Sequence, residues 1–277
     1  MKKILFNILI VFTSFFLTLF FVELILHIKN TNDFAKKKSK NIDIRTEYEL
    51  YKEYKEDNIN VYPWMGPTVL AKIDNIYPLS GISNSKTIFC NEEGDWKIYN
   101  SDKFGFNNNN LNYKKEINTL IIGDSFAEGS CVDYKDTFQG FFSSNGINSI
   151  SLGKGGNDAL VSFATLKEYI GIIKPKKLIY FYYINDVQDI KTTLSDRRKK
   201  KILEKYLDDD NFLQNLPTKQ DEIDDFLINF LAQRELFFDR KYNEKRSFRY
   251  SKFVRIISLY NIRSHIRLII GNNEDKF

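Results

Sequence analysis

The chain has 277 residues, 43% hydrophobic and 28% charged, with 41 basic and 36 acidic residues and a net charge of +5. That composition suits one large globular domain, or one domain with an anchor. The basic runs at Lys36-Lys37-Lys38 and Arg197-Arg198-Lys199-Lys200-Lys201 read as solvated faces, and without zinc-finger spacing or an aromatic RNA-binding signature nucleic acid is not an expected partner. The only cysteines are Cys90 and Cys131, and the only histidines are His27 and His265. These leave too few ligands for a Cys/His metal centre, and no cofactor is expected.

Lys2 and Lys3 precede a run over 4–22 that carries no charge, and apolar character continues past Glu23 through Leu24, Ile25 and Leu26. About 20 apolar residues cross a bilayer's hydrocarbon, so residues 4–26 are expected to enter the membrane. No small-residue cleavage site follows, and residues 1–28 read as an uncleaved signal anchor. Residues 29–60 are charged with no apolar face, as in a juxtamembrane linker or solvated helix. A prefix of small strands and loops is expected over 61–117. It opens with the aromatic turn Val61-Tyr62-Pro63-Trp64 and contains β-like pieces at 68–73 and 87–90, an exposed strand at 95–99 and a loop at 104–110.

Regular alternation then begins. A strand at 119–122 leads to a helix at 137–144 that Asp136 can cap, and a second strand follows at 147–152. Asn157 or Asp158 can cap a helix running to 173, with Leu160, Phe163, Leu166 and Ile170 on one face and Gly171 and Pro175 as stops. A third strand at 177–184 reads as buried on both faces. This β-α-β-α-β order predicts an α/β domain over 118–277, a three-layer, doubly wound, flavodoxin-like parallel sheet. Helical spacing over 196–207, 219–238 and 251–270 predicts a helical C-terminal part with Ile202, Phe226, Ile228, Phe230 and Leu236 facing the core. Three strands are few for such a sheet, so the domain is expected to be incomplete at its C-terminal end.

Three loops would leave the carboxyl ends of these strands. They carry Ser125, then Gly153-Lys154-Gly155-Gly156-Asn157, then Asn185-Asp186. In acyl transfer a serine oxygen attacks a carbonyl, and the resulting oxyanion needs N–H donors about 3 Å away. Backbone N–H groups of the glycine loop and the Asn185 amide are of the right kind. Each loop alone could be simple turn or cap chemistry; the order of all three at strand ends is more specific.

Ile122-Gly123-Asp124-Ser125-Phe126 resembles the first block of the SGNH (GDSL-type) hydrolases, whose nucleophile would fall on Ser125. Ser151 to Asn157 resembles the second block, with Gly156 at the oxyanion glycine, and Tyr183-Ile184-Asn185-Asp186 resembles the third, with Asn185 at the oxyanion asparagine. Cys90-Asn91-Glu92-Glu93-Gly94 and the stretch from Tyr99 to Phe106 are similar to the prefix of membrane-anchored bacterial members. The resemblance implies a single-pass protein of the inner (cytoplasmic) membrane with its soluble part facing the periplasm or exterior. Counting Lys29, Lys36, Lys37, Lys38 and Lys40 against Lys2 and Lys3 would alone favour the cytoplasm. The resemblance further implies an esterase or acyl hydrolase on acyl esters, with cell-surface glycan as the expected carrier and a glycan O-acyltransferase or a non-catalytic scaffold as alternatives. Export would allow a Cys90–Cys131 disulfide bracing the nucleophile loop.

The family's base is a histidine in an Asp-x-x-His block. Here Ile262 stands three before His265, which reads as a structural or surface residue, and His27 belongs to the membrane boundary. Glu128 and Asp133 are carboxylates, weak bases for a serine hydroxyl, while Asp124 reads as a turn-holding residue. A fragment lacking the base, or an inactive relative, is the resulting expectation. The sequence leaves the oligomeric state open.

Overall fold

A computed structural model describes residues 2–39, 42–43, 45–66, 76–92, 94–184, 186–245, 256, 259–263 and 265–266, with backbone alone at 2, 5, 31–39, 187–188 and 236–245. The β-like piece expected at 68–73, the amide expected from Asn185, the side chain of Leu236 and most of the helix expected at 251–270 lie outside the described side chains. The chain forms two compact units, one of residues 1–42 with 233–277 and one of residues 43–232. The division differs from the expected boundary at 117/118, because the prefix and the α/β part share one core. Ile76, Phe104 and Ile117 pack in the same cluster as Leu120, Ile150 and Tyr169.

In the first unit one helix runs over Lys2–Ser39, beyond the expected end of the anchor and into the charged stretch. Its stretch Phe6–Asn30 is long and apolar enough to cross a membrane. Phe6, Leu9, Val11 and Phe21 are all more than 60% exposed, so the described residues do not cover this apolar surface as they would cover a core helix.

The second unit begins with the helix Glu47–Glu56, closed by a reciprocal capping box between Thr46 and Glu49. Its Leu50 and Tyr51 pack on a sheet of β1 (Val61–Pro63), β2 (Lys86–Cys90) and β3 (Lys97–Asn100), with Val61 and Ile88 in the same cluster. β1 and β2 are parallel, β2 and β3 antiparallel.

The second sheet is wholly parallel, in the order β5-β4-β6, from β4 (Thr119–Gly123), β5 (Ser149–Ser151) and β6 (Lys177–Phe181). Every residue of the central strand β4 is buried. The prefix is fastened to β5 by side chains: Asn112 donates to the Ser149 carbonyl, and Asn108 bonds Ser151 twice. Asn108 donates its amide to the Ser151 carbonyl and accepts from the Ser151 N–H, both at 2.8 Å, as a neighbouring strand would. Asp102, fully buried, holds the loop that presents Asn108 by accepting from the Phe104 and Phe106 N–H groups, the Asn108 amide and the Tyr113 hydroxyl.

Several local expectations change. Thr137, not Asp136, caps the helix Phe138–Ser144, accepting from the Gly140 N–H. Asp158 does cap the helix Ala159–Ile173, but Phe163 and Ile170 are about 40% exposed while Val161, Ala164, Tyr169 and Ile173 are buried. The helix turns this face inward because buried Glu168 accepts from the Tyr206 hydroxyl and the Gln214 and Leu216 N–H groups, tying the helix to the later chain. Gly171 does not end the helix, which closes at Lys174 in the left-handed region. β6 lies at the edge of the described sheet, and Leu178 and Tyr180 stay partly exposed, contrary to a strand buried on both faces. In the helix Gln220–Lys245 the core positions are Ile223, Leu227 and Leu231 rather than Ile228 and Phe230, while Ile202 and Phe226 pack at the core's margin.

Cys90 at the end of β2 and Cys131 beyond β4 are joined by a disulfide across a separation of 41 residues. A bond closing a loop of that length restricts the unfolded chain by about 4 kcal/mol. The full chain in detergent should therefore lose several degrees of melting temperature on reduction, and Cys90→Ser with Cys131→Ser should reproduce the loss without reductant.

Candidate functional site

β4 ends at Gly123, and the chain turns at once into the short helix Ser125–Glu128. Asp124 makes this turn by accepting from the Phe126 N–H at 2.9 Å. Ser125 is thereby placed at the first helical position, where backbone N–H groups lack intrahelical partners. Neither the Ser125 N–H nor its hydroxyl has a hydrogen-bond partner among the described residues, while its carbonyl receives the Gly129 and Ser130 N–H groups. Burial pushes the Asp124 carboxyl above its usual range, the Phe126 N–H acts against this, and nearby Asp186 and Asp189 add to it.

The glycine loop after β5 lies directly on the serine helix. A Cβ at Gly153 would stand 2.4 Å from the Ala127 Cβ, an approach that only glycine permits. Most N–H groups of the loop are occupied. Gly153 donates to the Ser151 hydroxyl, Lys154 to the Gly123 carbonyl, Gly155 to Glu128 and Asn157 to the Lys154 carbonyl. Gly156 is the exposed residue of the loop, sits at φ +78, and its N–H makes no hydrogen bond among the described residues.

The third loop arrives beside the first. The Tyr183 ring lies 5.3 Å from that of Phe126. Asp186 accepts from the Tyr180 hydroxyl at 2.8 Å and the Tyr183 N–H at 3.2 Å. Burial, then this hydrogen bond to Asp186, raises the Tyr180 pKa, so the phenol keeps its proton and donates it to the carboxylate. The three loops that carry Ser125, Gly156 and Asn185 thus leave the carboxyl edge of one sheet, with Gly153 and Gly155 against the serine helix and Tyr183 against Phe126.

In the sequence Glu128 reads only as a weak base, and its supporting role at this edge is not expected. Glu128 is buried. It accepts from the Trp64 indole N–H at 2.8 Å, the Gly155 N–H at 2.6 Å and the Tyr99 hydroxyl at 3.4 Å. Its backbone carbonyl receives the Asn107 amide. Glu128 is therefore a structural acceptor, fully committed to its donors. Lys154, also buried, sets its ammonium 4.8 Å from the Trp64 ring centre. Desolvation lowers its pKa and the Glu128 charge opposes the shift. A sequence signal did exist: a tryptophan in an aromatic turn needs an acceptor for its N–H once buried.

Beside Ser125 lies a cleft of about 380 Å³ lined by Phe126, Val132 and Phe138 with the carboxylates of Glu92 and Asp136. The disulfide ties two segments of the cleft wall together, since Cys90 lies two residues before Glu92 and Cys131 stands between Ser130 and Val132. No histidine occurs in residues 43–232. His265 belongs to the first unit, where its Nδ1 lies 3.0 Å from the Asn261 carbonyl one turn earlier. Among the described residues no group of three metal-ligating side chains gathers.

Two measurements test this arrangement. Glu128→Ala leaves the Trp64 and Gly155 donors without their acceptor and Lys154 without its counter-charge, a loss of about 3–5 kcal/mol in urea unfolding; Glu128→Gln, which keeps an acceptor oxygen, should lose less. Asp124→Asn keeps a good capping residue and removes a buried carboxylate. Because the folded Asp124 pKa is raised, the wild type loses stability as pH rises from the unfolded carboxyl value through the folded one. The variant's melting temperature should exceed the wild type's at pH 7 by more than at pH 4. No family model, curated protein or solved structure matches the chain, so its functional reading rests on these residues and their geometry.

Proposed function

We propose that the chain is a membrane-anchored serine esterase or acyl hydrolase of SGNH type. The observation that carries this reading is the meeting of three strand-end loops at one sheet edge, with the Ser125 hydroxyl, the Ser125 N–H and the Gly156 N–H all unoccupied among the described residues. With its proton taken by a base, the Ser125 oxygen bonds to the acyl carbon, and the N–H groups of Ser125 and Gly156 with the Asn185 amide receive the charge on the carbonyl oxygen. The ester C–O bond then breaks, the alcohol leaves with that proton, and water frees the acyl group. The strand order β5-β4-β6 agrees with the start of a three-layer doubly wound sheet. The apolar rim of Phe126, Val132 and Phe138 suits an acyl chain. An acyl ester of a surface glycan is the substrate proposed from the family resemblance, with transfer to a second hydroxyl as the acyltransferase variant.

The anchor and the disulfide favour placing the soluble unit on the oxidising side of the membrane, since disulfides persist outside the reducing cytosol. The reaction also needs a base, and residues 43–232 contain no histidine. That observation favours the second reading, a non-catalytic SGNH-like subunit that cradles an acylated ligand.

A fluorophosphonate probe separates the two readings. The enzyme is expected to label on Ser125, with labelling lost in Ser125→Ala, and Asn185→Ala should lower ester turnover by about 10²–10³ with little change in KM. Equal labelling of wild type and Ser125→Ala would overturn the nucleophile. Absent labelling, with an acyl ester still bound, would support the cradle.

A further inference from the structure

Glu23 is a carboxylate inside the apolar stretch of the anchor helix, and it is completely buried. The group burying it comes from near the other end of the chain. Glu23 accepts from the Asn261 N–H, the Asn261 side-chain amide and the Ile262 N–H, each at 2.8 Å. The Asn261 carboxamide oxygen in turn accepts from Asn30 at 2.9 Å, two turns further along the anchor. Asn261 and Ile262 lie at the start of a helical stretch seen at 260–263 and 265–266, so Glu23 supplies the acceptor that a helix start needs.

The depth of this contact is informative. From Lys3 to Glu23 the helix rises about 30 Å at 1.5 Å per residue, the thickness of a bilayer's hydrocarbon core. With Lys3 at one boundary, Glu23 stands at the other, and Asn261 is held there with it. Apolar side chains on both partners remain uncovered at this level. Leu24, Ile25 and Ile28 of the anchor, and Tyr260 and Ile266 of the late segment, are all more than 40% exposed. Arg263 is exposed beside them, and the sequence around it adds Lys252, Arg255 and Arg267. Apolar residues interleaved with arginine and lysine are what an interfacial helix presents to acyl chains and anionic headgroups.

We propose that the late segment holding Asn261, described at 259–263 and 265–266, is an interfacial element of the membrane anchor, clamped at the hydrocarbon boundary by Glu23 and facing the lipid bilayer. The inference rests on the anchor reading but is independent of the chemistry at Ser125. Without the clamp, the buried Glu23 carboxylate would face the hydrocarbon boundary with no donors, and the late segment would lose its fixed depth.

The test uses the full chain reconstituted into phosphatidylcholine vesicles with and without phosphatidylglycerol. The introduced thiol of Ile266→Cys carries an environment-sensitive fluorophore, the native pair being engaged in the disulfide. Blue-shifted emission, quenched by lipids spin-labelled near the headgroup and stronger with phosphatidylglycerol, is the expected result. Adding Glu23→Leu, which makes the anchor more apolar and keeps it inserted, should shift the emission to the red and remove the quenching. A chain that fails to float with vesicles would overturn the anchor reading itself. A chain that floats with its 266 probe in water, or with quenching unchanged by Glu23→Leu, would overturn the clamp alone.

Discussion

The unit of residues 43–232 depends on one buried carboxylate. Glu128 takes a hydrogen from Trp64 in the opening turn of the prefix, another from Gly155 in the loop after β5, and a third from Tyr99 in β3. A buried charge is tolerated only when such donors surround it. Each of the three therefore has a fixed place relative to the helix that begins with Ser125. The result couples the prefix to the site, because Trp64 and Tyr99 brace the serine helix through Glu128. Asn108 and the disulfide add two further ties in the same direction, one to the edge of β5 and one to the segment beyond the serine helix.

This bracing explains how a short loop can present a free N–H. In the glycine loop the neighbours of Gly156 spend their N–H groups on Gly123, Glu128, Ser151 and Lys154. Those bonds fix the backbone on both sides of Gly156 and leave its own N–H pointing to no protein acceptor among the described residues. Preorganised donors of this kind lose little to reorganisation when charge develops nearby. The same logic operates in the other unit, where Glu23 fixes Asn261 by receiving three hydrogens at once.

Much of the framework was legible in the residues. The run Leu120-Ile121-Ile122 reads as a buried strand and is one, Asp124 and Asp158 read as turn and cap residues and act so, and the apolar stretch near the amino terminus reads as one long helix. Periodicity misjudged which way helices face. Phe163 and Ile170 look like core residues by spacing, yet the hydrogen bonds of Glu168 rotate a different stripe inward. Likewise the apolar run at 177–184 resembles a central strand, yet among the described residues it pairs with β4 at the sheet edge.

By itself the sequence determined the local events: strand, turn and cap chemistry, the apolar span, and the order of the three loops. These depend on residues close in the chain, where side-chain pattern and backbone preference act directly. Only the tertiary structure decided what those loops rest on. Glu128 meets Trp64 across 64 positions, Ser151 meets Asn108 across 43, and Glu23 meets Asn261 across 238. Such pairs carry no periodic signature, because each is selected by the need to satisfy one buried polar group once the apolar core has closed around it.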